Sequence, residues 1–210
     1  MYEHEAAPSG DGVRAPRAGS SRKPRADAAE NRRRLVSAAR EVYREQGQAA
    51  ALDAIATRAG VGNATLYRHF PNPDELRAAA LSARLEEVAV FLDGLEIRRD
   101  AVAALLSYIR WIAENPDNSY SDVLLTAPGC SPLVSEQRRE VRARVESLLA
   151  RAAESGGLRE PMTVEDLNIV IFAVSKVATD PRISAAHAER FLATVLAGLR
   201  ASSPVLGGVD

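Results

Sequence analysis

The stretch that most constrains the fold is residues 50–76, AALDAIATRAGVGNATLYRHFPNPDEL. Leu52, Ile55, Ala56 and Ala59 recur at the spacing of one helical face, while Asp53, Thr57 and Arg58 occupy the other. Gly60-Val61-Gly62 then interrupts the helix, because glycine reaches left-handed dihedrals at little cost. A second, shorter helix runs from Asn63 to Phe70, with Leu66 and Phe70 four residues apart and facing inward. Two short helices on a tight glycine turn, joined by one thin apolar seam, predict a helix-turn-helix. Its outward face carries Asn63, Ala64, Thr65, Tyr67, Arg68 and His69. These are short, rigid or hydrogen-bonding side chains, suited to base edges and phosphates. A plain helical hairpin inside an all-helical domain is the competing reading of the same pattern.

The string GVGNATLYRHF, followed at once by a capped helix, resembles the DNA-binding domain of the TetR/AcrR family of bacterial transcriptional regulators. By that resemblance Gly62 to His69 is the recognition helix. Asn63, Ala64 and Thr65 fall where the family meets bases, Tyr67 and His69 where it grips phosphates, and Arg68 shares their face. Three positions depart from the family's habit. Gly62 stands where a Ser or Thr hydroxyl usually caps the helix and meets a phosphate, Ala51 replaces a frequent Ser/Thr cap, and Pro73 occupies a common lysine position. Each departure leaves a backbone contact to be found elsewhere.

The charge distribution says where. The chain has a net charge of −1, yet residues 12–40 hold nine basic side chains against Asp27 and Glu30, a local +7 that leaves −8 for the rest. A basic end joined to an acidic body is the asymmetry of a nucleic-acid binder. Arg32, Arg33 and Arg34 lie in the early turns of the first predicted helix, Ala28 to Gln46, and are the leading source of phosphate attraction. Residues 1–27, rich in Gly, Pro, Ser and Arg, read as a flexible basic arm. The polar N-terminus lacks a secretory core segment, and no run of about 18 apolar residues spans a membrane, so the expected compartment is the cytoplasm. A single cysteine, Cys130, excludes an internal disulfide and reads as inert.

The rest of the chain is helical throughout, which predicts an all-α fold with three parts. By the resemblance these are a three-helix DNA-binding head (28–72), a helical ligand-binding and dimerisation body (73–203) entered through one long helix, and a short tail (204–210). Asn72-Pro73-Asp74-Glu75 starts that long helix, with Asn72 as cap, Pro73 at the first position and Glu75 completing a capping box. Leu81, Leu85, Val88, Leu92 and Leu95 continue it at spacings of three or four. Further helices are marked by Val102 to Ala113, by Val141 to Ala152 ahead of Gly156-Gly157, by the Thr163 cap ahead of Leu167, and by Phe191 to Leu199. Tyr120 to Thr126 is a candidate short helix.

The helix from Leu167 to Ala178 is apolar almost all round, so a second surface must cover it. The resemblance implies dimerisation through the last two long helices, and Val170, Val174, Leu192, Val195, Leu196 and Leu199 are the expected interface. It also implies a small effector held between body helices, whose binding lowers DNA affinity. Phe91, Leu95, Tyr108, Trp111, Ile112, Tyr120, Leu124 and Phe172 are the expected apolar lining, with Asn118, Ser119 or Thr126 as polar anchors. The expected ligand is apolar and uncharged or weakly charged.

No phosphate-cradling glycine loop, metal-ligand spacing or nucleophile–base pairing is present, and His4, His69 and His187 are scattered. The chain is therefore expected to be no enzyme and to need no cofactor or metal, and the resemblance implies a repressor of a palindromic operator. Two rivals remain: a helical protein whose head binds another regulator, and a non-specific DNA coater.

Overall fold

A computed structural model describes residues 22–47, 49–115 and 131–201 of the chain. The candidate helix at Tyr120–Thr126, Cys130, the pocket candidates Tyr120 and Leu124, and residues 1–21 of the expected arm lie outside them. Among the described residues eight helices follow in order: α1 (Arg22–Gln46), α2 (Leu52–Ala59), α3 (Asn63–His69), α4 (Pro73–Glu96), α5 (Ala101–Glu114), α6 (Pro132–Glu154), α7 (Val164–Thr179) and α8 (Ala185–Leu199). Among the described residues there is no strand, only an isolated bridge between Leu158 and Arg200.

α1 begins six residues before the expected Ala28. The added residues, RKPRAD, include two Arg, one Lys and one Ala, all good helix formers, and Pro24 sits in the first turn where proline is tolerated. The capping expectations hold in detail with one change. Asn72 Oδ1 accepts from the Glu75 amide at 2.9 Å, but Glu75 Oε1 accepts from the Asn72 side chain at 3.0 Å and not from its backbone. Thr163 and Asp166 form a full capping box, and Asp100 caps α5 through the Ala103 amide.

Two apolar cores result, and α4 serves both. The head core gathers Leu35, Ala39, Val42 and Tyr43 of α1 with Ile55, Leu66 and Phe70, and α4 adds Leu76 and Ala80. The body core takes Leu85, Val88, Leu92 and Leu95 from the same helix. α5 lies at the body's centre, packed on α4, α6, α7 and α8, which explains why nine of its residues are buried. Each fully buried leucine here contributes about 1.5–3 kcal/mol relative to exposure.

The chain after α8 folds back onto the loop between α6 and α7. Arg159 donates to the Leu199 carbonyl at 3.0 Å and Ala201 to the Gly157 carbonyl at 2.9 Å. A Cβ on Gly157 would stand 2.8 Å from Val102 Cγ2, so only glycine lets this loop approach α5.

Candidate nucleic-acid interface

The turn between α2 and α3 is built on Gly60, whose φ of 66° and ψ of 37° are left-handed. Its amide donates to the Ala56 and Thr57 carbonyls, and Val61 donates back to Ala56 at 3.0 Å. Together these satisfy two of the orphan carbonyls of α2, those of Ala56 and Thr57. Gly62 is extended, a conformation open to any residue, and caps α3 without a side chain. Only the first of the two glycines is therefore demanded by the backbone.

The turn aims α3 so that Leu66 is buried while Asn63, Ala64, Tyr67 and Arg68 are exposed and Thr65 is half-buried. Tyr67 keeps 49% of its surface in solvent. Asn63 is held by Asp53 of α2 through a 2.9 Å hydrogen bond from Nδ2 to Oδ1. Around this helix stands positive charge on short tethers. Arg32 lies with its guanidinium carbon 4.4 Å from the centre of the Phe70 ring, a cation–π contact that fixes it beside the end of α3. Arg34 reaches toward the Gly60 carbonyl at 3.5 Å, and Arg33 pairs with Glu30 at 2.6 Å. The three arginines of the cluster thus diverge: two turn toward the helix-turn-helix and one toward its own helix.

His69 differs from the expected phosphate ligand. It is half-buried, and its Nε2 is enclosed without a hydrogen-bond partner. Partial burial, then the positive charges of Arg68 and Arg32, hold its pKa below the ordinary histidine value. Neutral and inward at one ring nitrogen, it is a poorer phosphate ligand than Tyr67.

The expected effector lining is brought together only in part. Phe91 of α4 and Trp111 of α5 stack with ring centres 4.5 Å apart and planes 10° from parallel. With Leu95 they line an open cleft of about 660 Å³, bounded also by Glu86, Glu87 and Arg98. Tyr108 and Ile112 face the interior and are buried in the core. Phe172 is a correction: it stands 46% exposed on α7, with Lys176 Nζ 5.5 Å from its ring centre. A larger hollow, about 770 Å³, lies between α1, α4 and the start of α6 and contains none of the expected lining residues.

The expected interface residues are also redistributed. Val174, Leu192 and Leu196 are buried in the chain's own body core, and Val170, Val195 and Leu199 pack against it. The same two helices leave Ile169, Phe172 and Phe191 at the surface. An apolar helix in this position meets its own core first, and only the surplus faces outward.

One group escaped the sequence reading. Arg84 sits in the apolar stripe of α4 between Ala80 and Leu85 and is 2% exposed. Its guanidinium donates to the Asn115 carbonyl at 2.9 Å, pairs with Glu87 at 3.3 Å and lies 4.7 Å from the Trp111 ring centre. Glu87 also accepts twice from Arg40 of α1, at 2.5 and 2.8 Å. Partial burial pushes the Glu87 pKa up, but Arg40, with Arg84 behind it, more than offsets this and holds the carboxyl below its ordinary value. The available signal was a basic residue on the core-facing register with an acid three residues on.

Comparison with known proteins gives a consistent result. A profile of bacterial regulatory proteins of the tetR family matches residues 35–80, and a profile of the SbtR-like transcriptional regulator C-terminal domain matches residues 100–201. The chain is 33% identical over 107 residues to the HTH-type transcriptional regulator SrpR of Pseudomonas putida, half of this chain and half of that one. Over the same length it is 33% identical to TtgW, an HTH-type transcriptional regulator also of Pseudomonas putida, covering half of this chain and 80% of that protein. A TetR regulator structure from Streptomyces coelicolor superposes with a TM-score of 0.57 at 28% identity, over 82% of this chain and 99% of that one.

Proposed function

The chain belongs to the TetR family of DNA-binding transcriptional regulators, and from that premise we propose that it is a dimeric repressor released from a palindromic operator by a small apolar effector. Its similarity to transcriptional regulators also bears out the expectation that it is no enzyme. The observation that carries the DNA-binding half is the exposed face of α3. There Tyr67 and Arg68 stand clear of the core, while Arg32 is drawn in beside the end of α3 and Arg34 beside the turn.

The dimer reading is supported by Ile169, Phe172 and Phe191, large apolar side chains exposed on the last two helices. Water contact with such a patch is relieved by a second copy. One recognition helix per chain, doubled by a two-fold axis, then calls for a site with matching symmetry. The effector reading rests on the Phe91–Trp111 cleft, apolar at its base with charges of both signs at its rim. A ligand there releases DNA only by favouring an arrangement in which the two heads no longer match the half-sites.

A mobility-shift assay with an excess of unrelated duplex tests the proposal. Retention of a discrete complex supports specific recognition, and loss to the competitor makes the chain a non-specific coater. Absence of any complex favours a head that binds another regulator.

A further inference from the structure

We infer that Arg84 is the positioning residue through which the state of the Phe91–Trp111 cleft reaches the DNA-binding head. This rests on the reading that the head binds DNA and the cleft an effector. α4 passes from the head core to the body core between Ala80 and Leu85, and Arg84 is the charged side chain buried at that passage. On the body side its guanidinium meets the Trp111 ring and the Asn115 carbonyl, both at the C-terminal end of α5. It also meets Glu87 at the rim of the cleft, and Arg40 of α1, on the head side, holds that carboxylate with a two-pronged hydrogen bond.

The physical reason for coupling is the cost of stranding a buried charge. A guanidinium this enclosed cannot lose a partner without finding another, because an unpaired buried cation is strongly unfavourable. A ligand that wedges beside Trp111 moves one of the surfaces Arg84 rests on. Arg84 must then rearrange, and Glu87 with it. The paired geometry between Glu87 and Arg40 is directional, so that shift is felt at α1 and not dissipated. α1 carries the arginines that flank α3 and packs directly on α2. Coupling between two sites is reciprocal, so events at the head must also be read at the cleft.

Trp111 is the only tryptophan of the chain, so its emission reports the cleft without labelling. The test uses the full chain, wild type against Arg40→Gln and Glu87→Gln, both partly exposed positions, with helicity checked by circular dichroism. Arg40 belongs to α1 and pairs with Glu87, yet Arg40→Gln is expected to shift the Trp111 emission maximum and its quenching by acrylamide. Arg84→Lys, which keeps the charge but not the fork, should give a shift of the same kind. A merely structural role for Arg84 would leave Arg40→Gln with wild-type emission, and that result overturns the inference. A second arm adds a duplex selected by the protein from a random pool, at concentrations that saturate each variant. The expected result is an emission change in wild type that is lost in Glu87→Gln, and an equal change in both overturns the inference. If no duplex is selected, the DNA-binding reading falls, and the Arg40→Gln emission alone decides the role of Arg84.

Discussion

Asn63, the first residue of α3, donates from Nδ2 to Oδ1 of Asp53 on α2 at 2.9 Å. The side chain we propose to meet a base is therefore oriented by an acid from the neighbouring helix. Asp53→Ala frees that amide without touching the apolar seam. The expected outcome is relaxed preference at one position of the bound site, with discrimination there falling by about 1–3 kcal/mol. Competition among single-base variants of a selected duplex measures it, and an unchanged preference profile would place Asn63 away from the bases.

Tyr67 and Arg68 share the exposed face of α3 but stand for different chemistry. If Arg68 meets one phosphate, Arg68→Ala flattens the dependence of log affinity on log salt by about 0.9. Tyr67→Phe removes a single hydroxyl and should lower affinity with a far smaller change of slope. Titrations across a range of salt concentrations read both, and an unaltered slope for Arg68→Ala removes it from the phosphate contacts.

On α7 the distinction between core and surface separates three mutants of apolar residues. Phe172 is exposed, so Phe172→Glu should keep its thermal stability as a monomer while losing self-association. Leu167 is fully buried, and Leu167→Ala should cost about 2–5 kcal/mol of fold stability whatever the oligomeric state. Val174→Glu, at a buried site, should unfold the body outright. Sedimentation and thermal melts run together make the comparison. A stable Phe172→Glu dimer would put the interface elsewhere.

His69 gives a pH dependence with a definite sign. Its burial, with Arg68 and Arg32 beside it, lowers the folded pKa. The unfolded chain therefore takes up the proton more readily, and the stability contribution of neutral His69 is complete above its ordinary value of about 6.5. It is lost as pH falls below that, a window separated from most carboxylate titration. Melting temperatures of wild type should fall more steeply between pH 7 and 5 than those of His69→Asn. Parallel curves would show that His69 carries no linkage.

The helix-turn-helix was legible because both its helices repeat at one period and its turn needs one left-handed residue, Gly60. Caps at Asn72 and Thr163 were legible for a similar reason, since each is a local exchange of hydrogen bonds. What the sequence did not reveal is which apolar neighbour an apolar helix meets. The string offered Val174 as interface and Phe172 as pocket lining, but the packing of α7 on α5 turns the first into the core and leaves the second outside. Arg84 was missed because its burial depends on Trp111 and Asn115, partners in a different helix. His69 carried the family's expected role, but the register of α3 turns one of its ring nitrogens inward.

The most direct measurement is selection from a random duplex pool by the full chain, followed by sedimentation of the complex on the enriched sequence. The expected result is a two-fold symmetric site whose half-sites lie about 34–36 Å apart, bound by two copies, with binding strongly reduced in Tyr67→Ala. Failure to enrich any sequence, or enrichment of an asymmetric site held by one copy and indifferent to Tyr67→Ala, would contradict it.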